Sequence, residues 1–270
     1  MQEWRVIEDV PKTGESNMNI DRAILASCGS GESLPTLRLY SWEQPTLTVG
    51  YAQDFAKEID INRCQKLGIE IVRRPTGGRA LLHNHEVTYS FTAPIPHNKF
   101  PPSLLGAYKT VAKALLEGLK EVGVYGAVLA SGKKTTIGKH SFHSPSCLSS
   151  INHLEIEVQG AKLVGSAQRR TKKAFLQHGS ILLDCDRALV NSLFKFETDD
   201  ARCRSMEILN HKVVTLSECL GKSMTRKEVF KALIKGFSHT LKGNWVLGHL
   251  NSFELIKCTS NSYSKENINI

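Results

Sequence analysis

Between residues 71 and 90 the chain reads Ile-Val-Arg-Arg-Pro-Thr-Gly-Gly-Arg-Ala-Leu-Leu-His-Asn-His-Glu-Val-Thr-Tyr-Ser. Two β-type runs close on a proline and the glycine pair Gly77-Gly78, a pattern of strand, glycine turn, strand. Glycine carries no Cβ, so backbone here can approach a ligand closely. Arg73, Arg74 and Arg79, with the backbone N–H groups between them, suit an anionic or strongly polar ligand part. A hairpin turn with solvated arginines would carry the same residues, and so short a glycine motif does not separate the two readings. His83 and His85 flank Asn84 along a strand and point to opposite faces, so at most one of them shares a site with the glycines.

Around this stretch, β and α patterns follow one another. Trp4 to Val10 reads as a first strand, 17–28 as a helix closed by Gly29, and 37–42 and 47–51 as strands. Asp60 can cap a short helix over 60–67 that Gly68 ends. Tyr108, Val111, Leu115, Leu119 and Val122 recur every three or four residues and predict a helix over 103–122. Leu154 to Val158 and Lys162 to Ala167 alternate around Gln159-Gly160 and predict a hairpin. Phe175–His178 and Ile181–Leu183 suggest a further strand, and 187–196 and 213–220 suggest helices. Thr225 with Glu228 forms a capping box ahead of a helix to Leu241. The last ten residues are polar and expected to fray. A chain of 270 residues can bury a real core. The economical reading is a single domain over 1–270, α+β, sheet-rich to about Asp184 and helical after it.

Composition narrows the function. Lys and Arg number 35 against 26 Asp and Glu, a net charge of +9, so acidic partners are favoured through electrostatic steering. The basic residues are dispersed apart from Arg169-Arg170-Thr171-Lys172-Lys173, and no aromatic-interleaved RNA-binding motif occurs, which argues against nucleic acid. No apolar run reaches the roughly 20 residues of a membrane helix, and the N-terminus lacks a signal sequence. Seven cysteines, an odd count without a CxxC pair, fit a reduced, cytoplasmic compartment.

One of those cysteines, Cys147, stands inside a long polar stretch, Ala130 to Ser150, of the kind that is functional or mobile in a compact domain. The other six lie in or beside apolar or helical stretches. A thiol attacks as its thiolate, so Cys147 needs a neighbour that lowers its pKa from about 8.5; Lys162 and His178 are candidates. An idle surface thiol and a solvated lysine are the alternative. His140, His143, Cys147 and His153 do not have standard zinc spacing, so no metal is expected. Gly165-Ser166-Ala167-Gln168 offers small side chains and an amide for close backbone approach to a ligand, or simply a tight strand end.

Three motifs in order carry a resemblance. Arg73-Arg74-Pro75-Thr76-Gly77-Gly78-Arg79-Ala80 with His83 resembles the RRxTGG…H signature of the biotin/lipoate A/B protein ligase superfamily. Gly160-Ala161-Lys162-Leu163-Val164-Gly165-Ser166-Ala167-Gln168 resembles its G-x-K-[IV]-x-G-S-A-Q segment, and Leu176-Gln177-His178-Gly179-Ser180-Ile181-Leu182-Leu183-Asp184 its LQHGSILLD segment. The likeness spans roughly 5–245; a catalytic core is set at 31–245 and a C-terminal tail at 246–270. It implies a mixed β-sheet flanked by helices. Position separates the chemistries of the superfamily: the LipM type of octanoyltransferase places a cysteine in a loop shortly before the motif lysine, and Cys147 stands there. Gly77-Gly78-Arg79 also looks more like that type than the triple glycine usual in ligases. Asn84, where Asp is frequent, and Cys147-Leu148-Ser149-Ser150, without the usual aromatic and proline, depart from the pattern.

The resemblance implies Cys147 and Lys162 as the catalytic pair. Substrate would be bound by Arg73, Arg74, Gly77, Gly78, Arg79, His83, Gly165, Ser166, Ala167, Gln168, His178 and Gly179. It implies octanoyl transfer from octanoyl-acyl carrier protein to a lipoyl-domain protein such as the glycine-cleavage H protein, with no cofactor. ATP enters only if the chain is instead a lipoate-protein ligase, in which Lys162 would contact an acyl-adenylate. A non-catalytic lipoyl-domain-binding module would need neither residue.

Overall fold

The computed structural model describes residues 1–130 and 155–259. In chain order its elements are β1 (Glu3–Glu8), α1 (Gly14–Ser30), β2 (Thr36–Tyr40), β3 (Thr46–Val49), α2 (Phe55–Glu58), α3 (Ile61–Lys66), β4 (Glu70–Arg73), β5 (Leu81–His83), β6 (Glu86–Pro94), α4 (Leu104–Glu121) and β7 (Ala127–Leu129). After the undescribed stretch come β8 (Ile156–Val158), β9 (Ala161–Arg170), β10 (Ala174–Leu182), α5 (Arg187–Ser192), α6 (Asp199–Lys212), α7 (Leu216–Leu220), α8 (Arg226–Leu241), β11 (Asn244–Leu247) and α9 (Ser252–Thr259).

The strands form two sheets. Eight of them lie in the order β11-β1-β2-β6-β10-β9-β8-β7, and three in the order β4-β3-β5. The large sheet is mixed: β11, β1 and β2 run parallel, and pairing from β2 through β6 to β7 is antiparallel. This is the α+β, helix-flanked mixed sheet that the motifs imply.

Strand β6 shows how the sequence divides the molecule. Val87, Tyr89, Phe91 and Ala93 point into the main core with Val111 and Leu115 of α4 and Leu233 and Phe237 of α8. The alternate residues Glu86, Thr88, Ser90 and Thr92 are also buried, but on the opposite face, as the period of two requires. Helix α1 packs on that face, with Leu25 against Ala174 and Leu176 and Ile20 and Ile24 against Ile7. Alternating hydroxyl-bearing and apolar residues thus give a sheet buried on both sides, one dry and one polar.

Several elements differ from the sequence reading. The glycine stretch is not a hairpin turn: β4 pairs with β3 in parallel and β5 pairs with β3 antiparallel, so the glycines cross over the end of β3. The two pieces read around His178-Gly179 are one strand. Helix α6 was not legible, because only Ser205 and Leu209 of its length are buried. The expected helix from Val213 begins at Leu216; Val213 instead bridges to Lys162. The stretch beyond residue 246, set apart above as a tail, carries the end of β11 and helix α9. Its Glu254, fully buried, pairs with Arg5 of β1 at 2.5 Å.

Candidate active site

A pocket opens where the small sheet meets the polar face of the large one. Met18, Tyr40, Trp42 and Thr48 line it together with Arg74, Gly77 and Gly78. Leu81, His83, Thr88, Glu155, Gly165 to Ala167, His178 and Gly179 complete its wall. Three stretches far apart in sequence therefore converge, and register explains two of them: β9 and β10 are paired so that Ser166 faces Gly179 and Ala167 faces His178.

The glycine segment is built by Arg74. Its guanidinium gives two hydrogen bonds to the Gly77 carbonyl at 2.8 and 3.1 Å and one to the Arg79 carbonyl at 2.7 Å. Two more go to the Thr48 carbonyl and hydroxyl, both at 3.1 Å. Gly78 has φ +94°, and a Cβ there would come within 2.8 Å of Arg74 Nη2, so the wrapped conformation requires glycine. The Arg73 side chain turns away to the carbonyls of Gly50, Tyr51 and Gln53. The structure thus brings Arg74, Gly77 and Gly78 to the pocket, with both arginine side chains engaged in holding loop backbone. Arg79, half-buried, and Gln168, whose amide donates to Gln177 at 3.2 Å, stand outside its lining.

Two buried histidines brace the walls. His178 Nδ1–H donates to Asp21 at 3.0 Å, and Nε2 accepts from the Thr76 hydroxyl at 2.6 Å. Burial holds the His178 pKa below its ordinary 6.5, against the Asp21 carboxylate, which favours the cation. Burial by itself would raise Asp21, but the hydrogen bond from His178 and the Arg38 guanidinium at 2.9 Å outweigh it and hold it below 3.8. The imidazole is therefore neutral and oriented between a hydroxyl and a carboxylate. On the other wall His83 stacks on Trp42, ring centroids 4.1 Å apart. Its Nδ1 lies 2.6 Å from Glu86 and its Nε2 2.9 Å from the Thr48 hydroxyl. Glu86 also accepts from Trp42 Nε1 and from the hydroxyls of Thr88 and Ser180. His85 is exposed, as alternation requires.

Lys162 is 1% exposed, and its ammonium lies 2.5 Å from Glu155, itself 3% exposed. A Cβ on residue 165 would sit 2.9 Å from Lys162 Cε and 3.2 Å from Nζ, and one on residue 179 would sit 2.2 Å from the Gly165 carbonyl. Both glycines are thus explained by close approach: one leaves room for the lysine, the other for its strand. Ser166 Oγ meets the Tyr89 hydroxyl at 2.6 Å, and burial pushes that phenol up to about 12.

Cys147, with His140, His143 and His153, lies outside the described residues. The ends of its segment are defined: Leu129 pairs with Ile156, and the Ala130 N–H donates to the Glu155 carbonyl at 2.8 Å. The segment therefore leaves and rejoins the fold beside the Lys162–Glu155 pair. Among the described cysteines none lines the pocket. Burial pushes the Cys28 thiol up to about 12 and those of Cys64 and Cys185 up to about 11, where little thiolate exists at neutral pH.

Asp21, Thr48, Thr76, Glu86 and Trp42 are site residues that sequence reasoning missed. A carboxylate among apolar helix positions (Asp21 between Met18 and Ile24) and one three residues after a strand histidine (Glu86 after His83) were the available signals.

Residues 13–238 match the lipoyl protein ligase A/B catalytic domain. The chain belongs to this family. It is 36% identical over 250 residues to an octanoyltransferase LipM of Carboxydothermus hydrogenoformans, covering 93% of this chain and 91% of that one. With an octanoyltransferase LipM of Clostridioides difficile it is 32% identical over 271 residues, covering 100% and 99%. These relationships make the family member an acyltransferase enzyme. Among solved structures, the bipartite lipoate protein ligase of Thermoplasma acidophilum superposes with a TM-score of 0.77 at 21% identity, covering 96% of this chain and 91% of that one. This likeness establishes the shared fold. Among the described residues no helix is long and apolar enough to cross a membrane.

Proposed function

We propose that this acyltransferase moves an octanoyl group in lipoate biosynthesis, from octanoyl-acyl carrier protein through a thioester on Cys147 to a lysine of a lipoyl-domain protein such as the glycine-cleavage H protein. The carrying observation is the buried Lys162 ammonium, held by Glu155 at the point where the Cys147 segment rejoins the fold. Cys147 stands eight positions before Glu155, which tethers it within about 28 Å of that pocket residue. The octanoyltransferase names of relatives up to 38% identical support the acyl group.

In this reading the cation favours the Cys147 thiolate. The thiolate attacks the thioester carbonyl, the bond to the carrier sulfur breaks, and the carrier leaves as a thiol after taking a proton. The acceptor lysine, as its free amine, then attacks the acyl-enzyme. Nitrogen replaces sulfur on the carbonyl, and the proton lost by the amine restores the Cys147 thiol. Thioester exchange is nearly neutral and amide formation runs downhill, so no ATP is needed. Small residues at 77–78 and 165–167 leave a slot for the chain, and Met18, Trp42 and Leu81 give it apolar walls. The reaction belongs in the cytoplasm, with no metal or nucleic acid.

Intact-mass analysis tests the reading. Octanoyl-carrier thioester should leave an adduct that hydroxylamine removes and Cys147→Ala abolishes. Modification of an apo lipoyl domain that needs octanoate with ATP and survives Cys147→Ala would refute it in favour of a ligase; no modification under either condition would leave a binding module.

A further inference from the structure

A second cavity, a groove of about 500 Å³, lies between α1 and the turn joining β9 to β10. Its cationic lining is Arg22, Arg169, Lys172 and Lys173, with Leu25 and Pro75 among its apolar contacts, and no carboxylate lines it. Lys172 and Lys173 are exposed and make no ion pair among the described residues. Arg169 is fixed in place, donating to the Pro75 carbonyl at 3.1 Å.

The groove is not isolated from the pocket. Side chains alternate along a strand, so Gly165, Ala167 and Arg169 share one face of β9. The first two line the pocket and the third lines the groove. From Gly165 to Arg169 the strand advances about 13 Å at roughly 3.3 Å per residue. Pro75, on the groove, is likewise continuous with Thr76, which bonds His178. An anion held by the lysines and Arg169 is therefore one short linear arm away from the Lys162 ammonium, which lies over Gly165.

We propose that this groove binds the phosphate of the donor's 4′-phosphopantetheine arm, with the arm running along β9 and its thioester at the Lys162–Gly165 end; this rests on the acyl-carrier reading above. The arm has thirteen bonds from phosphorus to sulfur, which at the advance of an extended chain is about 15 Å, matching the strand. A phosphodiester suits convergent guanidinium and ammonium groups, and the apolar contacts suit the dimethyl part of the arm. The donor arm carries its phosphate at one set distance from the thioester sulfur, whereas a carboxylate on an acidic acceptor surface has no set distance from its lysine, so the groove is assigned to the donor.

The test has two parts. Calorimetry with 4′-phosphopantetheine and with pantetheine reads the phosphate preference without any catalysis. The unaltered protein should prefer the phosphorylated compound about tenfold or more, consistent with one or two charge-assisted contacts, and Lys172→Glu with Lys173→Glu should erase the preference. Then kcat/KM is compared for S-octanoyl-4′-phosphopantetheine and S-octanoyl-pantetheine, and the ratio should fall towards one in the double variant. Equal binding of the two compounds by the unaltered protein, or a ratio the variant leaves unchanged, overturns the proposal. A variant that loses transfer from intact acyl carrier protein but keeps the phosphate ratio assigns the lysines to the carrier's protein surface, which also overturns it. Phosphate preference without any Cys147 adduct would instead defeat the acyl-enzyme reading and leave the groove standing as a phosphate site.

Discussion

Replacing Lys162 by methionine isolates the centre of the site. The change keeps the stem and removes the charge, leaving the Glu155 carboxylate buried beside an apolar chain. At an effective dielectric near 20, unit charges at the observed 2.5 Å attract by about 7 kcal/mol before desolvation is counted. Desolvating both ions offsets much of that, yet removing one partner still leaves the other buried, at a cost of about 3–5 kcal/mol. Against a total stability of about 5–15 kcal/mol such a loss is readily measured by urea unfolding followed by circular dichroism. Glu155→Gln should destabilise in the same direction. The double change Lys162→Met with Glu155→Leu should recover most of the loss, because a buried pair replaced by apolar residues is often neutral. A coupling energy of about 2 kcal/mol or more in the cycle is expected. Singles that cost less than about 1 kcal/mol each, or a double as unstable as both together, would show that no coupled ion pair sits there. The double variant also separates stability from chemistry: it should fold and still form no octanoyl adduct.

Gly179→Ala places a Cβ 2.2 Å from the Gly165 carbonyl and should cost at least about 1–3 kcal/mol through overpacking, read as a lower Tm. Gly165→Ala meets only the flexible end of Lys162, so acylation should slow by tenfold or more while Tm changes little; a large Tm loss with normal acylation would contradict the role given to that glycine. His178 has a folded-state pKa below 6.5, so the unfolded chain binds the extra proton and stability should fall as pH drops below about 6.5, levelling under the folded value. His178→Gln should flatten part of that slope in unfolding midpoints measured between pH 7.5 and pH 5, while half-buried His97, also lowered by burial, preserves the rest. Glu254→Ala leaves Arg5 buried without its carboxylate and should free α9, seen as faster amide exchange over 252–259.

What was legible in the sequence was whatever depends on neighbours within a few residues. The helix stripe of Val111, Leu115 and Leu119 lies in the main core, the capping box at Thr225 and Glu228 is formed, and the hairpin across Gln159-Gly160 closes as β8 and β9. Long-range partners were not legible. Asp21 reads as an ordinary polar helix residue until His178, 157 positions away, is found bonded to it. Glu254 reads as surface charge until Arg5, 249 positions away, buries it. The glycine motif was recognised, but its geometry was not: strands β4 and β5 both pair with β3, and nothing local distinguishes that from pairing with each other.

The arginines of the glycine motif show how this matters for function. As sequence, Arg73-Arg74 beside Gly77-Gly78 is a plausible anion cradle. As structure, five hydrogen bonds from Arg74 go to Thr48, Gly77 and Arg79, and three from Arg73 go to loop carbonyls. Guanidinium donors used this way shape a wall that is cationic by residue count and structural by role. On the opposite side the neutral His178 and its Asp21 fix the second wall without adding net positive charge to the pocket. With Arg74 spent on backbone, the buried cation left beside the small-residue slot is Lys162, next to Gly165, and a further cationic group, half-buried Arg169 with exposed Lys172 and Lys173, lies one strand-length away. A donor with an uncharged acyl thioester at one end and an anion about 15 Å distant fits this separation of charge better than a compact adenylate, whose phosphate sits directly on the acyl carbon. The spacing along β9, rather than the glycine motif, is therefore the feature on which the choice between thioester and adenylate chemistry should turn.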